Sequence, residues 1–282
     1  MRTDPVTAVH TRPARPSRAR AFRRGVEEFL AYWELTTNLI ARDLKTKYRG
    51  SVLGVFWSLL NPLLLMVVYT AVFSVIVRVP VPGNGPYPVF LLAGLVPWNA
   101  FAQSLTNATT SVVDNAGIVR KVYFPLEILP VSAVLSASVN FLISLTLLAA
   151  LTIIFGVHLG LSVLVLPFLI LLQIAFTIGL GSLLAAFDVF FRDVQYFLSV
   201  LLTVWFFGTP VVYSLDLVPH RLRAVFLANP MAWLVSCYQS IWVYGRMPRW
   251  TYLGAFTVVA LAMLAVGLLG YGRLKRRFAE EV

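Results

Sequence analysis

The chain has 282 residues, 59% of them hydrophobic and only 12% charged, with a mean hydropathy of +0.81 and a formal net charge of +11. Soluble domains carry roughly 25% charged and 45–50% apolar residues, so this composition excludes a water-soluble globular protein and places the chain in a bilayer. The basic excess leaves no soluble face for a nucleic acid, and the single cysteine, Cys237, allows no internal disulfide.

Residues 1–28, opening "MRTDPVTAVHTRPARPSRARAFRRG", are rich in Arg and Pro and lack the apolar centre of a signal peptide. They read as a flexible basic cytoplasmic tail. From 29 to 48 large or apolar residues recur at Phe29, Trp33, Ile40, Leu44 and Tyr48, with Thr37 weakening the stripe. That spacing predicts one face of an α-helix. Glu34, Asn38, Arg42, Asp43, Lys45 and Lys47 take the other faces, so the helix is expected to lie along the inner membrane surface. It is either a passive interfacial anchor or the flank of a translocation mouth. In the second reading Arg42, Lys45, Lys47 and Arg49 attract an anionic lipid-linked substrate.

Beyond Arg49, runs free of Asp, Glu, Lys and Arg mark the spans, each needing about 20 apolar residues. The run 128–187 must hold two helices, and "FGVHLG" at 155–160 is the break between them. Six spans follow, at about 51–77, 88–110, 128–155, 161–187, 194–215 and 250–272, in an all-α integral membrane protein. Pro62, Pro97 and Pro210 are expected to kink their helices.

Two short connections face the same side as the tail. In 111–125 Asp114 suits an N-cap and Arg120-Lys121 the far end of a one- or two-turn helix. In 187–197 Asp188 and Arg192 are spaced to pair at i, i+4. Both are either ordinary solvated loops or docking surfaces, and spacing alone does not rank the two. The run 224–245 is long enough to cross, yet Asn229-Pro230 interrupts it and Ser236, Gln239 and Ser240 dilute it. If it does not cross, Lys and Arg divide 18 inside to 5 outside; if it does, 16 to 7. The first division obeys the positive-inside rule better. It puts both termini in the cytoplasm and makes 217–245 two short helices dipping into the outer leaflet before the last span.

No charged side chain lies near the middle of a span, which argues against proton- or ion-coupled transport. His10, His158 and His220 are scattered, and neither a phosphate loop nor a metal-ligand cluster occurs. Energy for directional work would come from another chain.

The stretches "ARDLKTKYRGSVLGVFWSLLNPLLLMVVYTAVFSVI", "NAGIVRKVYFPLEILPVSAVLSASVNF", "FFRDVQYFLSVLLTVWFFGTPVVYS" and "ANPMAWLV" resemble, in this order, the membrane subunits of bacterial polysaccharide ABC exporters. These are the ABC-2-type permeases for O-antigen, teichoic acid and capsule. The likeness runs from about residue 30 to the end. It implies a homodimer of six-span chains in the bacterial inner membrane, paired with two ATPase subunits that carry the ATP and Mg. This chain would then be no enzyme and bind no cofactor itself. The implied substrate is an undecaprenyl-pyrophosphate-linked glycan. The resemblance further implies that 29–48 is the gate helix at the cytoplasmic entrance and 217–245 a periplasmic gate. Asp114, Asn115, Ile118, Arg120 and Lys121 would belong to a coupling helix seated on the ATPase, with Arg192 and Asp193 in a second, smaller contact. Sugar rings stack on aromatic side chains. Phe56, Trp57, Tyr69, Phe73, Tyr196, Trp205, Phe206, Phe207 and Tyr213 therefore either line the glycan path or serve as lipid-facing and interfacial rings.

Overall fold

The computed structural model describes residues 32–81, 85–119 and 124–275, and its regular elements are all helical. In chain order they are α1 (Trp33–Tyr48), a 3-10 turn (Gly54–Phe56), α2 (Trp57–Tyr69) continued by a π-helical stretch (Thr70–Ile76), α3 (Tyr87–Asp114), α4 (Ala116–Val119) and α5 (Ile128–Ile154). A 3-10 turn (Leu161–Val165) leads into α6 (Leu166–Phe190), then come α7 (Val194–Phe207), a 3-10 turn (Leu215–Leu217), α8 (His220–Leu227), α9 (Pro230–Trp242) and α10 (Trp250–Leu274). Among the described residues five helices are long and apolar enough to cross a membrane: Gly54–Ile76, Tyr87–Asp114, Ile128–Ile154, Leu161–Phe190 and Trp250–Leu274. A sixth apolar helix, α7, is shorter. The run 224–245 resolves into the end of α8 and all of α9, and neither has the length to cross.

Helix α3 is the centre of the bundle, packed against α2, α5, α6, α7 and α9. In its most apolar window 72% of residues are buried, against 6% for Gly54–Ile76, so α2 stands at the edge of the bundle, touching the core through Leu65, Met66 and Tyr69 while Leu64, Val67 and Val68 face outward. The backbones of α6 and α10 come close together, because Gly179 and Gly267 have no side chains to separate them. A Cβ on Gly267 would stand 1.9 Å from the Gly179 carbonyl oxygen. Small residues bring membrane helices together in this way. At one end of the bundle, Leu39 of α1 joins Val112, Phe124, Ile128, Val189 and Tyr271 in a compact apolar cluster. There the Tyr271 hydroxyl donates to the Leu126 carbonyl and Lys275 pairs with Glu127, pinning the end of α10 to the start of α5.

Four local expectations change. Helix α7 stops at Phe207 instead of running to 215, and fourteen residues give roughly 21 Å, short of the roughly 30 Å hydrocarbon. Pro210 therefore lies beyond its helix, whereas Pro62 and Pro97 are inside theirs. Asp114 closes α3 and does not open the next helix, with Asn115 as the C-cap. Asp188 and Arg192 form no ion pair among the described residues, because the chain leaves α6 at Phe190 and turns extended at Phe191. Asp188 is buried, with one carboxylate oxygen lacking a partner. On α1 the residues turned into the bundle are Thr36 and Leu39, while Trp33, on the apolar stripe, is 48% exposed.

Candidate functional site: a polar groove along the central helix

Asn99, Gln103 and Asn107 follow one another at four-residue steps along α3, and Ser132, Ser136, Asn140 and Ser144 do the same on α5. Such spacing stacks side chains on one helix face. The two faces meet in a groove with two adjoining compartments, of about 340 and 530 Å³. Lys47, Gln103, Ala137 and Asn140 line both compartments. The larger reaches the α1 end through Arg42, Asp43, Ser111 and Asp114; the smaller continues between α2 and α3 through Trp57, Asn61 and Asn99.

A hydrogen-bonded knot stands between α1, α2 and α5. The Tyr48 hydroxyl donates to the Asn140 side-chain oxygen and lies against the Ser58 hydroxyl. Ser58 reaches the same Asn140 oxygen at 3.0 Å, and Ser144 donates to the Ser58 carbonyl at 3.1 Å. Elsewhere the groove is under-engaged. Gln103 donates along its own helix to Asn107 at 2.8 Å, yet both are exposed, as is Asn61. An amide facing hydrocarbon without a partner is costly, so this side of the bundle must meet water, a polar solute or another polypeptide.

Of the four basic residues singled out in the sequence, Arg42 and Lys47 line the groove, and Lys45 and Arg49 do not. Partial burial lowers the Lys47 pKa. Arg42 pairs with Asp43 at 3.0 Å and donates to the Asn115 side-chain oxygen at 2.8 Å. That bond joins two residue sets that lie far apart in sequence, the α1 cations and the α3–α4 junction. Ile118 packs into the apolar cluster under α1, while Arg192 and Asp193 are exposed in the α6–α7 turn. Arg120 and Lys121 lie outside the described residues.

Only one of the nine candidate aromatics, Trp57, lines the groove. Phe56, Tyr196 and Phe207 are exposed on the outer surface, and Tyr69 and Phe73 meet edge to face at 6.1 Å against the core. Trp205 and Phe206 turn inward, their rings 5.2 Å from Phe101 and 5.7 Å from Trp98 respectively. The Tyr213 hydroxyl donates to the Phe207 carbonyl.

A second polar set closes on itself beyond α7. Gly94 has no Cβ to meet the Val211 backbone, which would lie 3.1 Å away, so the turn after α7 presses into α3. Its carbonyls find side chains: Asn229 donates to Gly208 at 3.0 Å, Gln239 to Pro210 at 3.1 Å and Tyr87 to Val212 at 3.0 Å. Asn229 also accepts from the Trp205 indole and the Met231 N–H. Irregular backbone at membrane depth persists only when protein satisfies it in this way.

These features define a multi-pass helical membrane protein with a lateral polar cleft. The chain matches the family of ABC-2 type transporters over residues 34–243, and it belongs to that family. The O-antigen export system permease protein RfbA of Myxococcus xanthus is 37% identical over 261 residues, covering 92% of this chain and 99% of the relative. A protein of the same name from Klebsiella pneumoniae is 32% identical over 249 residues, 88% of this chain and 95% of its own. The polysialic acid transport protein KpsM of Escherichia coli is 24% identical over 239 residues, 83% and 90% of the two chains.

Proposed function

We propose that this chain is the membrane permease of an ATP-driven exporter that moves an O-antigen-type polysaccharide, carried on undecaprenyl pyrophosphate, across the bacterial inner membrane. The observation that carries this reading is the similarity to O-antigen permeases over nearly the whole of both chains. The groove supports it physically, since amide and hydroxyl side chains without mid-membrane charge suit the hydroxyls of a sugar chain. Its open side, together with the exposed α2, supports a homodimer that encloses the path between two copies. Both termini are cytoplasmic in this reading, in which α7 and the turn after it together make the sixth crossing and the Lys and Arg asymmetry sets the orientation. Two ATPase chains hold the ATP and Mg, and their motion enters through Asn115 and the short α4, which Arg42 ties to α1.

The test is purification of the tagged chain from its host in mild detergent, with mass spectrometry of co-eluting chains, alongside assay of surface glycan in a deletion strain. An ATP-binding-cassette ATPase at equal stoichiometry, and a glycan lost on deletion and restored by the gene, are the expected results. A chain that elutes alone after crosslinking, from a strain whose surface glycan is unchanged by the deletion, would overturn the proposal.

A further inference from the structure

At the end of the bundle away from α1, a separate cavity of about 320 Å³ opens between the start of α3, the turn after α7, helices α8 and α9, and the first turn of α10. Arg223, Arg249, Asp216 and Tyr252 stand in its wall. Positive charge there exceeds negative, with two arginines to one carboxylate in the lining. Arg223 approaches Asp216 only at the limit of contact, 3.5 Å to its carbonyl oxygen and 3.8 Å to Oδ1. Its Nε–H is buried with no acceptor. Arg249 lies over the Tyr252 ring at 5.6 Å and enters no ion pair among the described residues. Each guanidinium offers five N–H donors and accepts nothing, and the one carboxylate nearby, Asp216, is itself 75% exposed. Two guanidiniums thus share one loosely held carboxylate, and the Arg223 Nε–H has no acceptor among the described residues.

Its surroundings indicate depth. Trp250 and Met247 are exposed beside Arg249, as are Leu222 and Val225 on α8. Trp, Tyr and Arg over an apolar apron are the residues of a membrane–water interface. Helix α8 buries none of its own residues, so a ligand held between Arg223 on α8 and Arg249 at the head of α10 would fasten α8 to the bundle.

We propose that this cavity binds a phosphate-class anion, with Arg223 and Arg249 as its donors. Arginine suits this ligand because its planar fork meets phosphate oxygens with paired, charge-assisted bonds. The anion is either the headgroup of a lipid or a phosphate free of lipid, and the site does not depend on the polysaccharide reading.

The test is native mass spectrometry of the purified full chain, with any chains that accompany it, titrated with phosphatidylglycerol and separately with inorganic phosphate. Phosphatidylglycerol adducts that phosphate does not displace would assign the headgroup; phosphate binding without lipid adducts would assign the soluble anion. In either case Arg223→Gln with Arg249→Gln weakens binding about a hundredfold or more, the loss expected for two charge-assisted bonds. Arg221→Gln, an exposed neighbour on α8 outside the cavity, leaves it unchanged. Asp216→Asn removes the competing carboxylate and strengthens binding, a gain that a misfolded variant cannot produce. Absence of binding by both probes, equal losses with Arg221→Gln, or weaker binding with Asp216→Asn would each overturn the site.

Discussion

The turn beyond α7 and the groove along α3 and α5 both place amide and hydroxyl side chains on an otherwise apolar bundle, and they use them in opposite ways. Around the turn, Asn229, Gln239 and Tyr87 each close on a backbone carbonyl. In the groove, Gln103, Asn107 and Asn61 remain exposed. Saturated polar groups of the first kind hold irregular backbone in place, because an unpaired carbonyl in hydrocarbon is expensive. Groups of the second kind, bonded at most to one another along one helix, return little to the fold and, in the function proposed, are free to meet a polar solute. Polarity in a membrane helix therefore does not by itself point to a path; under the function proposed, it is the unspent hydrogen-bonding capacity of the groove that does.

This contrast is open to mutation, and the largest effect belongs to the turn. Asn229→Leu removes the partners of Gly208, Thr209 and the Trp205 indole together. It should cost about 3 kcal/mol or more, at 1–3 kcal/mol for each buried group left unpaired, read as a lower midpoint of thermal unfolding in detergent. Gln239→Leu frees only the Pro210 carbonyl and should cost about 1–2 kcal/mol on the same scale. Tyr48→Phe cuts the knot between α1, α2 and α5 at about 1 kcal/mol and sharpens the contrast, since it should change the export rate more than the unfolding midpoint. The smallest effect on stability is expected from Gln103→Leu combined with Asn107→Leu, within about 0.5 kcal/mol as for other exposed positions, while surface glycan falls sharply. A groove variant as destabilised as Asn229→Leu would erase the distinction between the two regions.

Much of the bundle was legible in charge alone. Charge-free runs locate α2, α3, α5, α6 and α10, because a membrane helix must be long and apolar whatever it packs against. Asn229-Pro230 marks the joint between α8 and α9, where Asn229 caps α9 by accepting from the Met231 N–H and Pro230 occupies the first turn. The stop at Phe207 is invisible to charge, since 194–215 carries none, although Gly208 and Pro210 punctuate the run there. Gly208 caps the helix and Pro210 cannot continue it, while Gly94, Tyr87, Asn229 and Gln239, remote in sequence, hold the turn that follows. Asp114 and the pair Asp188–Arg192 misled for a related reason: local spacing suits a cap and an ion pair, but α3 runs on through Asp114 and α6 stops short of Arg192. The groove was partly legible. Polar residues four apart in 99–107 and 132–144 stand out once uncharged side chains are followed, although their meeting across α3 and α5, and the bond from Arg42 to Asn115, are tertiary facts.

The central claim, that the groove faces a polar path, is tested most directly by thiol accessibility. Cys237 is buried at 1% exposure, so the native chain gives a quiet background to a charged, membrane-impermeant thiol reagent. In native membranes a Gln103→Cys variant should label readily from the aqueous phase, and a Leu261→Cys variant, at an exposed apolar site on α10, should not. Equal protection of both positions, or labelling at Leu261→Cys alone, would contradict the account.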